Sequence, residues 1–189
     1  MSDNLQFGFN KKCYPNAVFV LKQVVNDFNE RNCNVYIASL DISKAFDRVN
    51  HYNLFSTLIS NNLPSCFVKL IINWYLKMSV CIRWNGFYSS AFIIHSGVRQ
   101  GSVLSPMLFN LYVNKTIACL KTSGAGCYFV NCYVGCIMYA DDLLLLFGSV
   151  LGLQFILDTC GCVAKLLGIA FNENCRIVLI VSQMYLICL

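Results

Sequence analysis

Two adjacent carboxylates, Asp141 and Asp142, interrupt an almost unbroken apolar run at residues 134–147. The chain has only nine acidic residues in 189, so a side-by-side pair in this setting is informative. Ionised carboxylates are seldom buried unless they are paired or hold a metal ion. A strand, a tight Asp-Asp turn and a second strand from Leu143 would place both carboxylates at a hairpin tip, where they suit a divalent cation. The alternative is an ordinary β-turn that uses Asp for its backbone geometry.

A third carboxylate, Asp41, follows a run of strand-forming residues at positions 35–40. It therefore lies at the carboxyl end of a predicted strand, where sheets of mixed proteins tend to place ligands. The alternative is a charge that favours the start of the following helix. Asp47 is the weaker candidate, because Lys44 and Arg48 are simpler partners for it at short helical spacing.

A glycine-containing loop lies between the two carboxylate sites, at residues 96–106. Its glycines allow a ligand to approach the backbone closely, and polar donors stand between them. These residues are Gly97, Arg99, Gln100 and Gly101. Ser105 and Pro106 then predict the N-cap and first position of a helix that ends near Gly124. A helix start behind such a loop is a ready anion site, although most loops of this kind are only turns.

Carboxylates that converge from separate elements suit phosphoryl transfer. Two metal ions about 3.5–4 Å apart can hold the attacking and leaving oxygens of an in-line displacement. Asp41 and Asp141 could share such a site if their strands are neighbours in one sheet.

Together, the three segments resemble the polymerase motifs of reverse transcriptases. Residues 40–51 (LDISKAFDRVNH) look like motif A, residues 97–106 (GVRQGSVLSP) resemble motif B, and residues 139–142 (YADD) are similar to motif C. The long forms of motifs A and B look most like those of non-LTR, LINE-type (jockey-like) retrotransposon enzymes. Residues 7–9 (FGF) resemble the fingers motif upstream, so the resemblance covers essentially the whole chain.

The resemblance implies a role for each matching residue. Asp41 and Asp141 would bind two Mg²⁺ ions, with Mn²⁺ able to replace them, helped by the backbone carbonyl of Ile42. Asp142 would be a weaker or indirect ligand and completes the predicted catalytic carboxylates. Phe46 would be the aromatic gate that excludes a ribose 2′-OH. Other predicted contacts with nucleotide, template or primer are Ala45, Arg99, Gln100, Gly101, Tyr139 and Ala140.

Two departures from the family pattern stand out. After Gly-Phe the family has a basic residue and a glycine-containing stretch, whereas this chain has Lys11 and Lys12 followed by Cys13. Motif D normally reads Gly-Leu-x-x-Asn-x-x-Lys, whereas here Cys175 stands where the Lys belongs and Arg176 comes one place late. If that Lys assists departure of pyrophosphate, this chain lacks the assistance.

The element pattern predicts an α+β fold, which the resemblance makes a right-hand polymerase palm with part of the fingers. We expect residues 1–34 to be a fingers remnant and residues 35–189 to be palm with some fingers elements. Helices are predicted at about 15–28, 46–60, 64–78, 105–124 and 149–168, and Asn85-Gly86 predicts a hairpin with a type I′ turn. Thumb and endonuclease segments are expected to be missing, as in a truncated reading frame or an excised domain.

The composition fits an intracellular partner of nucleic acid. Apolar residues make up 57% and charged residues 12%, against about 25% charged in typical domains, which predicts apolar surface that normally meets other segments. Net charge is +5, and the balance is +8 once three proposed metal ligands are set aside. No uninterrupted apolar span of about 18–20 residues predicts a membrane helix, and the polar N-terminus lacks a signal-peptide pattern.

The twelve cysteines, without a secretion signal, favour reduced thiols and a location in the nucleus or cytoplasm. No Cys-x-x-Cys pair occurs, so a zinc site is disfavoured. His51 and His95 are interpreted as structural.

Three functional hypotheses follow. The first is an RNA-directed DNA polymerase that takes an RNA template, a DNA primer or RNA–DNA hybrid, and dNTP. The second is an RNA-dependent RNA polymerase, which Phe46 disfavours because its ring should collide with the 2′-OH of an NTP. The third is a catalytically inactive fragment that folds and still binds nucleic acid.

Overall fold

The computed structural model describes residues 3–8, 14–172 and 176–180. The helices are α1 (Tyr14–Glu30), α2 (His51–Ser60), α3 (Ser65–Leu76), α4 (Ser105–Ser123) and α5 (Val150–Leu167). The short strands are β2 (Ser79–Val80), β3 (Arg83–Trp84), β4 (Phe87–Tyr88), β5 (Phe92–Ile93), β6 (Tyr128–Phe129) and β7 (Cys132–Tyr133). The strands of the main sheet are β1 (Val35–Asp41), β8 (Cys136–Tyr139), β9 (Asp142–Phe147) and β10 (Arg176–Ile180). The predicted α+β class is confirmed.

The main sheet is antiparallel, in the order β10-β1-β9-β8. Residues near the N-terminus extend it beyond β8. Gln6 forms a parallel bridge with Met138, where the Phe7 amide donates to the Met138 carbonyl at 2.8 Å and the Met138 amide donates to the Leu5 carbonyl at 2.9 Å. The division at residue 34 stays a prediction, but this part of the predicted fingers remnant lies along the sheet that carries the carboxylates.

The central strands are apolar on both faces because both faces are covered. One face packs against α4 and α5 through Ala38, Leu40, Cys136, Met138, Leu143 and Leu145. The other packs against α1 through Val35, Ile37, Ile137 and Leu146. Burial on both sides gives continuous apolar runs instead of an alternating pattern. It also makes a one-residue slip of β9 costly, because the slip would exchange the two sets of side chains.

Tyr112 joins three elements beneath the sheet. From α4, its buried hydroxyl donates to the carbonyl of Leu167 at the end of α5 and accepts from the amide of Asn50 at 3.3 Å. Asn50 is the N-cap of α2, and its side chain accepts from the Asn53 amide. The start of α2 is therefore fixed relative to the helices that support the sheet.

Among the described residues, α5 alone is long and apolar enough to cross a bilayer, with a mean hydropathy of 1.6. One stripe of the helix is buried against the sheet and α4, as expected for the core helix of a globular domain. Its ends carry ordinary caps, with the Ser149 hydroxyl accepting from the Gly152 amide and Gly168 left-handed at φ +73°. Packing within the domain thus accounts for the buried stripe, whereas Leu151, Phe155 and Leu166 are exposed.

Two predicted helix starts were wrong. The helix predicted from Phe46 begins only at His51, because residues 43–48 form turns and Lys44 is left-handed at φ +50°. In α4 the N-cap is Leu104, and Ser105 is already helical. After α5, the structure describes β10, and residues 181–189 lie outside the described residues.

Candidate active site

Three carboxylates meet at one end of the main sheet. Asp41 and Asp142 are the last pair in the register of β1 and β9. Directly opposed residues in an antiparallel pair have Cα atoms about 4.5–5.5 Å apart and side chains on the same face. Asp141 immediately precedes β9, and its carbonyl accepts from the Ile42 amide at 3.2 Å. The pairing of β1 with β9 thus brings Asp41, Asp141 and Asp142 together, in the arrangement that their motif positions predicted.

The turn at this hairpin tip consists of Ala140 and Asp141. The predicted Asp-Asp turn was wrong by one residue, since Asp142 already belongs to β9 and pairs with Tyr139. The register is set by the burial of Leu143 on the helix side of the sheet. Ala140 is left-handed at φ +56°, which costs a non-glycine residue about 1–2 kcal/mol. Packing around the turn must offset that cost.

Gly8 supplies part of this packing. A Cβ built on Gly8 would collide with the backbone nitrogen of Ala140, so only glycine allows the two chains to approach this closely. The Gly8 carbonyl accepts from Nδ2 of the buried Asn110 on α4 at 2.9 Å. Gly8 thereby stands between α4 and the turn that carries Asp141. The rest of the predicted fingers motif, including Lys11 and Lys12, lies outside the described residues.

The carboxylates repel one another. Partial burial raises the pKa of Asp142, and the negative charges of Asp141 and Asp41 raise it further. Such a cluster favours a bound cation, which would offset the repulsion. Across residues 3–8, 14–172 and 176–180, however, no three His, Cys, Asp or Glu side chains are already arranged as a metal site.

Asn172 is a partner of Asp41 that sequence analysis missed. Its side-chain amide donates to Oδ2 of Asp41, and its backbone amide donates to the Asp41 carbonyl at 2.8 Å. A bridge between Ile42 and Phe171 lies beside these bonds, and the Ser43 amide donates to Ala170 at 2.8 Å. The Asn of the motif D-like segment was the available signal, but sequence alone does not connect it with Asp41. Cys175 lies outside the described residues.

Phe46 is held in position by α4 and by the glycine-containing loop. Its ring stacks on Phe109 of α4, with centroids 5.0 Å apart and planes at 17°. Its backbone carbonyl accepts from the Val98 amide at 2.7 Å. Ala45 is 5% exposed, so its side chain belongs to the core and offers a substrate little beyond its backbone.

The glycine-containing loop at residues 96–106, the predicted contact for nucleotide, is hydrogen-bonded to the segment that contains Phe46. Gly97, at φ +91°, donates its amide to the Val49 carbonyl at 2.7 Å. A Cβ on Gly97 would lie 3.1 Å from the Asp47 backbone, which explains the glycine. Nε2 of the buried His51 donates to the Gly97 carbonyl at 2.8 Å, in agreement with its predicted structural role. Gly101 is left-handed at φ +81° without a close neighbour, so it serves the turn itself.

Exposed polar groups line a cavity of about 550 Å³ next to this loop. Its lining includes Asp47, Met78, Arg99 and Gln100. The predicted pairing of Asp47 with Lys44 or Arg48 is replaced by a long contact of 3.4 Å from Nε2 of Gln100. Another cavity, of about 310 Å³, lies against the carboxylate hairpin and is lined by Ser39, Tyr139, Asp142 and α1. Predicted substrate residues therefore border both cavities, Arg99 and Gln100 the first and Tyr139 the second.

The described cysteines are free thiols, as expected. Burial raises the pKa of Cys127, Cys136 and Cys160 to about 12, so these thiols stay protonated near neutral pH. Zinc binds the thiolate form, and these residues therefore serve the core.

Comparisons with known proteins agree on one family. The profile described as "Reverse transcriptase (RNA-dependent DNA polymerase)" matches residues 3–179. The Pol polyprotein from the type-2 retrotransposable element R2DM of Drosophila melanogaster is 33% identical over 174 residues, covering 91% of this chain and 16% of that protein. A probable RNA-directed DNA polymerase from transposon X-element of the same organism is 33% identical over 110 residues, covering 57% of this chain and 12% of its own length. The chain thus spans under a fifth of these relatives.

Solved structures share the fold. The apo telomerase of Candida tropicalis, truncated from its C-terminal domain, superposes with a TM-score of 0.67 at 16% identity, covering 92% of this chain and 36% of that one. Telomerase of the same organism in complex with a fragment of telomeric RNA gives a TM-score of 0.69 at 12% identity, covering 92% and 30%. These matches confirm the predicted polymerase fold. The chain belongs to the reverse transcriptase (RNA-dependent DNA polymerase) family and is related to the enzymes of non-LTR retrotransposons.

Proposed function

We propose that this site catalyses template-directed transfer of a deoxynucleotide from dNTP to a primer 3′-OH on an RNA template, as part of a retrotransposon polymerase. The observation that carries the proposal is the pairing of Asp41 with Asp142 next to the turn residue Asp141. Phe46, five residues after Asp41 in the sequence, and the glycine loop bonded to its segment would supply the surfaces that a nucleotide needs.

Mg²⁺ is the cofactor that the donors suit, with Mn²⁺ as an alternative. Asp41, Asp141 and the backbone carbonyl of Ile42 offer oxygen ligands, and Asp142 lies close enough to act indirectly. The hydrogen bonds of the bridge between Ile42 and Phe171 are made by the backbone of Asp41 and Ser43. They do not use the Ile42 carbonyl. When bound, two such ions would stabilise the attacking and leaving oxygens of the transfer.

In the reaction, the primer 3′-oxygen bonds to the α-phosphorus of the dNTP and loses its proton to solvent water. The bond between that phosphorus and the oxygen bridging to the β-phosphate breaks, and pyrophosphate leaves with the electron pair. Tyr139 and Ala140, on the hairpin beside Asp142, are proposed to lie under the primer terminus. Arg99, Gln100 and Gly101 border the cavity or loop where nucleotide and template base would meet.

Phe46 is proposed to select deoxyribose. Its stacking on Phe109 prevents the ring from moving aside, so an added 2′-hydroxyl would meet a packed surface. An apolar pocket alone rejects a hydroxyl only weakly, and a rigid ring is therefore needed for strong discrimination. The smaller Phe46→Val side chain should admit ribonucleotides, which competition between dNTP and rNTP would measure. Unchanged discrimination would show that another residue is the gate.

The second candidate is a nucleic-acid-binding fold without catalysis. It is favoured by the contact between Asn172 and Asp41, and by the lack of a ready three-ligand cluster among the described residues. Both candidate functions imply a location inside the cell, because both need nucleic acid and reduced thiols.

Primer extension and ion binding together separate the candidates. We would measure dNTP incorporation on a primed RNA template, and Mn²⁺ binding by electron paramagnetic resonance, for Asp41→Asn and Asp141→Asn. The matched control is Asp158→Asn, an exposed carboxylate on α5. Metal ions supply several kcal/mol of transition-state stabilisation, so each site variant should lose at least about a hundred-fold in rate and the control should lose nothing. Equal activity in all three variants would contradict the proposal, and specific ion binding by an inactive parent chain would favour the second candidate.

A further inference from the structure

Residues 79–93, formed by β2, β3, β4 and β5, make a ribbon that we call the aromatic arm. Every residue from 81 to 90 is exposed. The exposed fractions are 81% for Trp84, 78% for Phe87 and 64% for Tyr88. Large aromatic side chains normally contribute to cores, and a contiguous exposed group of them marks an interaction surface.

The arm does not need these side chains in order to fold. Asn85 and Gly86 form its two-residue turn, with φ values of +48° and +83°, which is the favoured geometry for a hairpin. Beyond the turn, the two sides of the arm are joined by a backbone hydrogen bond, in which the Ser89 amide donates to the Ile82 carbonyl at 2.9 Å. Turn chemistry and backbone pairing specify the arm, so its aromatic rings remain accessible.

Strand pairing sorts the exposed rings onto two faces. Trp84 and Phe87 are direct partners and share one face. Arg83 and Tyr88 are partners on the other face, where the guanidinium carbon lies 5.6 Å from the ring centroid. One face therefore presents the two exposed rings of Trp84 and Phe87, and the other presents the Tyr88 ring with the Arg83 cation beside it.

The stretch of sequence that contains the arm is basic. From residue 48 to residue 140 the sequence contains seven basic residues and no Asp or Glu. At the base of the arm, a groove of about 490 Å³ is lined by Trp74, Lys77, Ser79 and Arg99, among others. Basic groups that alternate with exposed aromatic rings are the combination that binds single-stranded nucleic acid, where cations meet phosphates and rings stack on bases.

The groove adjoins the cavity beside the glycine-containing loop at residues 96–106. Arg99 lines both the groove and the 550 Å³ cavity that holds Asp47 and Gln100. A strand that leaves the cavity past Arg99 would meet Lys77 and Trp74 and then the base of the arm at Ser79. This shared lining favours an occupant that also reaches Gln100, a predicted nucleotide or template contact.

We propose that the aromatic arm is a stacking platform for unpaired bases of the template strand. Trp84 and Phe87 stack on the bases, while Lys77 and Arg99 contact phosphates along the groove. The inference rests on the proposed function, because the template is the single strand that a polymerase of this kind would hold. Stacking tolerates any sequence, so the platform would grip a template without selecting its bases.

Binding can be measured without catalysis. The chain has two tryptophans, so Trp74→Phe leaves Trp84 as the sole tryptophan reporter. We would titrate this variant with a short oligouridylate, without metal or dNTP, and follow tryptophan fluorescence and the anisotropy of a labelled strand. We expect quenching of Trp84 that saturates together with binding.

Arm variants then test the platform. Trp84→Ala with Phe87→Ala should weaken single-strand binding at least about ten-fold, because base stacking is worth about 1–3 kcal/mol for each base. Trp84→Tyr should retain most of the affinity. Tyr52→Ala is the matched control, since Tyr52 is an 80% exposed aromatic that belongs to α2 and not to the arm, and should change nothing. Lys77→Gln should instead reduce the dependence of log affinity on log salt by about 0.7.

Several outcomes would overturn the inference. One is an equal loss for the same strand paired with its complement, which would mean that unpaired bases are not what the arm recognises. Another is unchanged RNA binding by the double variant combined with loss of self-association in sedimentation, which would make the arm an interface between proteins. Because metal and dNTP are left out, failure here leaves the carboxylate proposal intact. Failure of Asp41→Asn to affect synthesis would instead remove the polymerase reading and leave the single-strand binding of the arm as measured.

Discussion

Two hairpins with two-residue turns are built in opposite ways. The carboxylate hairpin turns at Ala140 and Asp141 between strands buried on both faces. The aromatic arm turns at Asn85 and Gly86 between strands that are exposed throughout. Asn-Gly is the sequence that such a turn prefers, whereas Ala140 adopts a positive φ that disfavours a side chain.

The difference separates local from tertiary control of shape. The arm can form from its own sequence and presents its side chains outward. The carboxylate turn holds an unfavourable conformation between Gly8, which α4 holds through Asn110, and Ile42, whose amide donates to the Asp141 carbonyl. Backbone strain that neighbouring elements maintain is typical of functional sites. Here the strained residue is Ala140, and it fixes the position of Asp141, a proposed metal ligand.

The largest expected effect is from Gly8→Ala. The new Cβ would collide with the backbone of Ala140, so the hairpin tip must shift. We expect a loss of about 1–3 kcal/mol in the free energy of unfolding, together with weaker Mn²⁺ binding. Urea denaturation and ion titration would measure both. Gly161→Ala is the matched control, because nothing lies within 4 Å of a Cβ at that position. Equal stability of the two variants would show that Gly8 does not support the turn.

Asn172→Ala should come next. Removing the amide that orients Asp41 should weaken ion binding by about 10–100-fold, the usual cost of losing a partner of a metal ligand. Asn61→Ala, on the exposed end of α2, is the control and should leave ion affinity unchanged. Tighter ion binding by Asn172→Ala would instead mean that Asn172 competes with the metal for Asp41.

A smaller effect concerns pH. The raised pKa of Asp142 means that the folded state holds its proton to higher pH than the unfolded state does. Stability of the metal-free protein should therefore fall as pH rises through the interval between the unfolded and folded pKa values, above the ordinary Asp range. Asp142→Asn should abolish this decrease, and Asp158→Asn should preserve it. Urea denaturation in a chelator across that interval would show the difference, which added Mg²⁺ should reduce.

The smallest effect is expected in the arm. Gly86→Ala introduces a side chain at φ +83° into open space, so the cost should stay within about 1–2 kcal/mol and remain local. Hydrogen exchange should increase at residues 82–89 while ion binding and the global melting temperature stay unchanged. Loss of ion binding in this variant would contradict the separation between the two hairpins.

Sequence analysis predicted what short patterns determine. The end of β1 at Asp41, the hairpin at Asn85-Gly86 and the caps of α5 follow from local propensities, and the structure agrees with them. The order of the motifs also predicted that Asp41 lies close to Asp141 and Asp142. A family pattern contains information on long-range strand pairing, which the secondary-structure propensities of single residues do not.

What sequence analysis missed depends on tertiary contacts. The one-residue error in the turn came from the register, which burial of Leu143 sets from outside the turn. The late start of α2 reflects bonds from the glycine loop to the segment before Asn50. The contact between Asn172 and Asp41 joins residues far apart in the chain and has no local signature.

The central claim is that Asp41 and Asp141 hold ions in one site at the end of the sheet. The most direct test is a crystal structure of the chain with Mn²⁺, using anomalous scattering to locate the ions. The account predicts density within about 2.0–2.6 Å of oxygens from both Asp41 and Asp141, with the Asp142 carboxylate adjacent. Ions bound only elsewhere, or the Asp41 carboxylate still held by Asn172 with no ion at saturating Mn²⁺, would contradict it.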